Sequence, residues 1–191
     1  PNMTELAPKN DRELEEMLVF AVSFDGPIAI RYPRGSAHQG LREYQAPVEY
    51  GRSEIIRKGK KIAVLGVGSM IPSCMEICKG LKDDGYDPTF VNARFVKPLD
   101  VDLLDELAKD HSLFVTVEEN VKSGGYGEHV SAYMEACHPE VRVLPLAIPD
   151  HFIEHGTVDS RLGSFRTPGK CRKPAQPDWT WSGRHQTGNR R

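Results

Sequence analysis

Two arginines in a constrained turn are the side chains best suited to bind an anion. Arg31 and Arg34 follow a short apolar stretch at 28–30. Pro33 and Gly35 restrict the backbone between and after them. A guanidinium held at the carboxyl end of a strand can donate two parallel hydrogen bonds to a phosphate. A surface ion pair explains the same residues equally well, so both interpretations of the turn remain open.

A glycine-rich turn at 66–69 follows a predicted strand and precedes a predicted helix, where dinucleotide-binding sheets hold a pyrophosphate. The fingerprint is incomplete, because Ile71 occupies its third glycine position. The next strand also ends at 92–94 without the acidic residue that would bind a ribose hydroxyl. The sequence therefore favours the tight turn of an ordinary α/β sheet over nucleotide binding.

Glu118 and Glu119 come just after a predicted strand, where α/β proteins place their sites. Adjacent side chains on an extended chain point to opposite faces, so we expect no acid–base pair and a structural or interface role for one of them. The glycines at 124–127 supply amides that could hold an anion, but close packing explains them equally well. His155 could act as a base, yet no paired nucleophile accompanies it.

The composition argues against several classes of partner. A formal net charge of −2 and a pI near 6.4 provide no attraction for nucleic acid or anionic membranes. No membrane span or signal peptide is recognisable, so we expect a cytoplasmic protein. Cys74 and Cys78 are four residues apart on a predicted helix without a second Cys or His pair, which favours buried side chains over a metal site.

The first 37 residues contain too few elements to form a core. A helix is predicted at 10–23, with Asn10 as its cap and Glu13 three residues later. Its apolar stripe is Leu14, Met17, Leu18 and Ala21. One helix and a strand at 28–30 cannot bury their own faces, so we expect the end of a domain whose body lies upstream.

A polar segment at 36–58 is predicted to be a linker with one short strand near 54–56. Strands and helices then alternate. The strands are predicted at 62–65, 89–92, 113–117 and 141–146, and the helices at 73–82, 100–109 and 126–137. This order predicts a three-layer α/β fold with a mostly parallel sheet.

The last 32 residues, 160–191, differ from the rest in composition. They contain eight basic residues and one acidic residue, and they lack apolar periodicity. We therefore expect a disordered tail that limited proteolysis would remove. A basic tail with two tryptophans could bind nucleic acid, but the basic residues are spread out and a solvated tail is the favoured interpretation.

Five blocks in this order resemble the 1-deoxy-D-xylulose-5-phosphate synthase family. The blocks are APKN at 7–10, DGPIAIRYPRG at 25–35, VNARFVKPLD at 91–100, VTVEEN at 115–120, and Pro149-Asp150 with His155-Gly156. The resemblance covers residues 1 to about 159. It implies that residues 1–37 end a pyrimidine-binding domain, 38–51 form a linker, and 52–159 form a carboxy-terminal domain of the transketolase type.

The resemblance also implies a function for the parent enzyme, a homodimer that uses thiamine diphosphate and Mg²⁺. That enzyme condenses pyruvate, with loss of CO₂, and D-glyceraldehyde 3-phosphate into 1-deoxy-D-xylulose 5-phosphate. This reaction is the first step of non-mevalonate isoprenoid precursor synthesis and a source for thiamine and pyridoxal synthesis.

Only Arg34 matches a functional residue of that family, the one that contacts the acceptor's phosphate. The family's catalytic, cofactor-binding and metal-binding residues have no counterpart in the sequence. We therefore expect this chain alone to bind neither thiamine diphosphate nor Mg²⁺ and to be inactive. The alternative is a non-catalytic subunit or assembly domain of a two-chain thiamine-diphosphate enzyme.

Overall fold

The structure, a computed structural model, describes residues 2–150 as two sheets with four α-helices. The elements are β1 (Thr4–Leu6), α1 (Asp11–Ser23), β2 (Ile28–Ile30), β3 (Glu54–Arg57), β4 (Lys61–Gly66), α2 (Ile71–Asp83), β5 (Thr89–Asn92), β6 (Phe95–Lys97), α3 (Val101–Ala108), β7 (His111–Val121), α4 (Tyr126–Cys137) and β8 (Arg142–Ile148). A 3₁₀ turn, Gly68–Met70, leads into α2. The basic tail and His155 lie outside the described residues.

The larger sheet has the strand order β3-β5-β4-β7-β8. Only β3 is antiparallel to its neighbour, and β5, β4, β7 and β8 are parallel. Because β5 lies on one side of β4 and β7 on the other, the strand order reverses between β4 and β7. Right-handed crossovers then put α2 on one face and α3 with α4 on the other. The predicted three-layer, mostly parallel α/β fold is confirmed.

The core of this sheet is apolar on both faces of its central strands. Ala63, Val64 and Leu65 of β4 are at most 1% exposed, and Phe114 of β7 is fully buried. Side chains from α3 and α4 pack in the same cluster as Leu65 and Phe114. Burial on both faces explains why these strands show no polar alternation in the sequence.

The smaller sheet joins residues before and after the 36–53 segment. Strand β1 is parallel to β2 and antiparallel to β6, which belongs to the carboxy-terminal part of the chain. Neither β1 nor β6 was predicted, because each is a short segment that contains a charged residue, Glu5 or Lys97, and so lacks the apolar run that marks β2. Their pairing attaches the amino-terminal segment to the larger unit through backbone hydrogen bonds.

Helix α1 was predicted correctly, and its buried face matches the predicted apolar stripe in part. The Oδ1 of Asn10 accepts a hydrogen bond from the Glu13 N–H at 2.8 Å, as expected for a cap. Met17 is buried and Leu14 and Ala21 are half-buried, as the stripe predicts, whereas Leu18 is 51% exposed. Glu13, which was not part of the stripe, is also buried. The helix turns Glu13 inward because that carboxylate has buried cationic partners, and Val22 is left 91% exposed.

Candidate functional site

Three of the motifs considered separately in the sequence meet at one cleft of about 210 Å³. The cleft lies at the carboxyl ends of β4 and β7, the point of strand-order reversal where open α/β sheets bind ligands. We call it the switch-point cleft. Its lining residues come from the arginine turn (Arg31–Gly35), the glycine turn, the second glutamate and the residue that follows β1: Ala7, Arg31, Tyr32, Pro33, Val67, Gly68, Ser69 and Glu119.

Arg31 has both backbone and side-chain partners. Its N–H donates to the Leu6 carbonyl at 2.8 Å, which extends the β1–β2 pairing by one residue. Its Nη1 lies 3.1 Å from the Oε1 of Glu5, and both side chains are about one-third exposed. The ion-pair interpretation therefore describes Arg31.

Arg34 differs from Arg31, because its side chain is exposed. Within residues 2–150 its guanidinium forms neither a salt bridge nor a hydrogen bond. The following Gly35 has φ of 146°, a conformation that other residues adopt only with strain. The turn thus presents Arg34 to solvent, next to the cleft-lining Pro33, with its donors available to an anion.

The glycine turn owes its composition to close packing. A Cβ at Gly66 would lie 2.7 Å from the Sγ of Cys74, and one at Gly68 would lie 2.9 Å from the Cβ of Ala7. Gly68 also has φ of 52°. These contacts support the tight-turn interpretation over nucleotide binding. Burial raises the pKa of the Cys74 thiol, which makes its thiolate, the form that binds metals, harder to produce.

The two adjacent glutamates have unrelated partners, as their positions on an extended strand predicted. Glu119 is exposed and accepts a hydrogen bond from the Ser69 hydroxyl at 2.6 Å. Glu118 is fully buried and accepts the N–H groups of Tyr126 and Gly127 at 2.9 and 2.8 Å. Burial raises the pKa of Glu118, although those two hydrogen bonds oppose the shift.

The start of α4 therefore holds an anion, and that anion is the chain's own carboxylate. A Cβ at Gly125 would lie 2.6 Å from the Oε1 of Glu118, and one at Gly127 would lie 2.4 Å from the Oγ1 of Thr116. Both interpretations of the glycines at 124–127 apply together. The amides bind a carboxylate, and the absence of Cβ atoms lets it approach.

A second polar group, which we call the buried charge cluster, joins α1 to the larger sheet. It was missed in the sequence analysis. Its members are each at most 5% exposed: Lys9, Glu13, Glu54, Asn92 and Arg94. The Nζ of Lys9 lies 2.8 Å from Oε1 of Glu13 and 2.8 Å from Oε2 of Glu54. The Nδ2 of Asn92 donates to both oxygens of Glu13, at 2.9 and 3.0 Å.

Arg94 completes the cluster. Its Nε lies 2.7 Å from the Oε1 of Glu13, and its Nη2 lies 3.3 Å from the Oε1 of Glu54. Its other donors reach the carbonyls of Ala46 and Pro47 at 2.7 and 2.9 Å. Two cations thus balance two carboxylates. Burial alone would raise the pKa of Glu13, but the charges of Arg94 and Lys9 outweigh it and the pKa is lowered.

Neither a metal centre nor a membrane helix is present in the part of the chain that the structure describes. No group of three His, Cys, Asp or Glu side chains within residues 2–150 is arranged to hold a metal ion. Over the same range, no helix combines the length and the apolar character that crossing a bilayer requires.

The fold is that of a transketolase-type α/β domain, and comparison with known proteins agrees. Residues 51–166 match the family described as transketolase, C-terminal domain. A solved structure, a split-gene transketolase in an inactive β4 tetramer, is similar with a TM-score of 0.75 and 27% identity. That similarity covers 81% of this chain and 51% of the other. The chain belongs to the transketolase C-terminal domain family.

More specific relatives are 1-deoxy-D-xylulose-5-phosphate synthases. The one from Lachnoclostridium phytofermentans is 45% identical over 157 residues, which are 82% of this chain and 25% of the relative. The one from Dictyoglomus thermophilum is 43% identical over 159 residues, 83% of this chain and 26% of the relative. The chain thus spans about a quarter of the length of these relatives.

Proposed function

We propose that this chain is the carboxy-terminal part of a thiamine-diphosphate-dependent transferase that makes 1-deoxy-D-xylulose 5-phosphate. Its substrates are pyruvate, which loses CO₂, and D-glyceraldehyde 3-phosphate. The observation that carries the proposal is the 45% identity to such a synthase over 82% of the chain. Residues 1–37 then end a preceding domain, 38–51 link it to the domain at 52–159, and the tail starts at 160.

The exposed apolar side chains of α1 support a missing neighbour on that helix. Leu18, Val19 and Val22 are 51%, 72% and 91% exposed, although all three are apolar. A patch of this kind on a helix marks a surface that packs against something else. The preceding domain of the parent enzyme is the occupant that we propose.

Arg34 is the proposed contact for the phosphate of glyceraldehyde 3-phosphate. Its guanidinium is exposed and unpaired within residues 2–150, on a turn that Pro33 and Gly35 constrain. A planar guanidinium in that position can donate two hydrogen bonds to a phosphate. Arg31, which is paired with Glu5, is not assigned this role.

The cofactor-binding and metal-binding residues of the synthase family have no counterpart in this sequence. In this proposal the cofactor is held by other parts of the parent enzyme. The 191-residue chain alone should neither bind it nor turn over substrate, and micromolar binding in calorimetry with Mg²⁺ would contradict this.

The decisive test uses Arg34→Ala in the protein extended to the length of its relatives. Loss of a charge-assisted phosphate contact should lower kcat/KM for glyceraldehyde 3-phosphate by about 10- to 100-fold. Pyruvate has no phosphate, so its decarboxylation should change much less. Arg12→Ala, which removes an exposed arginine of α1, is the matched control. Equal losses for both substrates would refute the assignment.

A second candidate is a non-catalytic assembly subunit of a two-chain enzyme, and similarity to a split-gene transketolase favours it. Two measurements on the 191-residue chain separate the two proposals: its oligomeric state by light scattering, and its activity with the amino-terminal part supplied separately or joined to it. A defined homo-oligomer that activates a separately made amino-terminal partner supports the subunit. A chain that gains activity only when joined to the upstream sequence supports the first proposal, in which the parent is a cytoplasmic homodimer without nucleic-acid or membrane partners.

A further inference from the structure

The arginine turn is connected to the larger unit by a continuous series of backbone hydrogen bonds. Arg31 donates to the Leu6 carbonyl, and β2 pairs with β1 through Thr4–Leu6. Strand β1 in turn pairs with β6, where Leu6 lies opposite Phe95. The position of the turn therefore depends on where β6 begins.

Arg94 immediately precedes β6 and holds the amino-terminal segment in two ways. Its carbonyl accepts the N–H of Ala7 at 2.8 Å, directly after β1. Its side chain bonds Glu13 of α1 at 2.7 Å. Its own φ is 55°, an uncommon conformation for a residue with a side chain, which its many partners maintain. Both attachments fail if Arg94 moves.

Apolar packing alone does little to fix the position of the small sheet and α1 relative to the larger sheet. Its fully buried apolar cluster contains Leu6, Met17 and Phe95, with a few partly buried neighbours. The buried charge cluster is more selective, because a buried charge is stable only when each partner lies within hydrogen-bonding distance. The cluster therefore accepts few relative positions of α1 and the larger sheet.

We propose that Lys9, Glu13 and Arg94 are positioning residues for the acceptor's phosphate. They touch no substrate, and they act by holding the turn that carries Arg34. This inference rests on the proposed function of Arg34. Small displacements of a binding group lower the productive fraction of complexes, so the effect should fall on the phosphorylated substrate.

The test replaces one cation and one carboxylate together, so that the remaining Arg94–Glu54 pair stays balanced. In the protein extended to the length of its relatives, the double variant K9M/E13Q should raise KM for glyceraldehyde 3-phosphate by about 10-fold or more. KM for pyruvate should stay within about twofold, because pyruvate lacks the group that Arg34 binds. The matched control is R12M/E16Q, which removes a partly exposed ion pair of the same i,i+4 spacing within α1.

Hydrogen exchange in the 191-residue chain gives a readout that does not depend on activity. The N–H groups of Ala7 and Arg31 should exchange faster in K9M/E13Q than in R12M/E16Q, whereas those of β4 should not change. If K9M/E13Q fails to fold, R94K replaces it, since lysine keeps the charge and loses the planar fork.

The outcomes separate this inference from the proposed function. If the folded cluster variants leave KM for glyceraldehyde 3-phosphate unchanged while Arg34→Ala raises it, the positioning role is refuted and the function of Arg34 stands. If Arg34→Ala has no selective effect, the proposed function itself fails. Equal increases of KM for both substrates would make the cluster a structural element only.

Discussion

The core of the larger sheet and its junction with helix α1 are stabilised by different interactions. The five-stranded sheet has central strands whose side chains are apolar and buried on both faces. At the junction, a small apolar cluster lies beside four buried charges that connect α1 with strand β3 and the start of β6. The core of the sheet depends on area removed from water, and the junction depends on complete pairing of charges.

The two kinds of interaction therefore have different roles: apolar burial stabilises the fold, and charge pairing fixes the position of α1 relative to the larger sheet. Apolar packing tolerates modest rearrangement, because many side chains of similar volume fill the same space. Paired buried charges do not, because a partner that moves away leaves an unsatisfied charge. The region that holds the arginine turn is thus the one in which small displacements cost most.

The largest effect should come from breaking the charge cluster at one member. Glu13→Ala leaves two buried cations with one carboxylate, and we expect the unfolding free energy to fall by about 3–5 kcal/mol. Glu16→Ala on the same helix removes a partly exposed i,i+4 partner and should cost about 0.5 kcal/mol or less. Urea denaturation measures both, and equal losses would show that the cluster adds nothing specific.

A cavity in the larger sheet should cost a similar or smaller amount. Leu65→Ala removes a side chain that is 1% exposed, and such truncations cost about 2–5 kcal/mol. This loss should be the same at pH 3 and pH 6 because no charge is involved. A clear pH dependence of the Leu65→Ala loss would contradict the distinction between the apolar core and the buried charge cluster.

Acid should weaken the buried charge cluster selectively. The pKa of Glu13 is lowered in the folded protein, so the folded state binds fewer protons than the unfolded state as the pH falls below about 4.3. Its stabilising contribution is present above that pH and disappears as the pH falls through the lowered pKa. The stability difference between wild type and Glu13→Gln should therefore shrink between pH 6 and pH 3.

Glu118 provides the opposite case in the same pH experiment. Its pKa is raised by burial, so wild-type stability should increase relative to Glu118→Gln as the pH falls. A change of the same sign for both variants would mean that the two carboxylates do not differ in the way their partners indicate.

The smallest effect is expected on the outer face of α1. Val22 is 91% exposed, so Val22→Ser should change the stability of the 191-residue chain by no more than about 0.5 kcal/mol. Met17→Ser, at a fully buried position of the same helix, should be strongly destabilising. Thermal denaturation of the longer parent should show a greater loss for Val22→Ser, if the preceding domain covers this face.

Local patterns were enough to predict the elements of the larger sheet. Strand β5 (Thr89–Asn92) and helix α4 (Tyr126–Cys137) have the predicted bounds, because apolar runs and turn residues define them within a short window. The partner of Glu13 could not be found this way, since Arg94 is 81 residues away in the sequence. Nothing in the local pattern distinguishes a buried Glu13 from an ordinary capping residue.

Local sequence patterns could not predict the switch-point cleft either. Each of its motifs was recognisable, yet only the strand order places the arginine turn opposite Gly68 and Glu119. That arrangement depends on the unpredicted pairing of β1 with β6. The different roles of Arg31 and Arg34 could not be predicted from the sequence either. They follow from the fold, which places Glu5 next to Arg31 and not next to Arg34.

The β1–β6 pairing has a consequence for a broken chain. Two strands of the small sheet precede the 36–53 segment and one follows it, and the cluster crosses the same boundary. A nick at the exposed Glu43 would give two peptides that still share a ladder and a set of ion pairs. The intact link between them acts mainly as a source of effective concentration. The halves should therefore co-migrate on a native gel, separate on a denaturing gel, and reassemble when mixed.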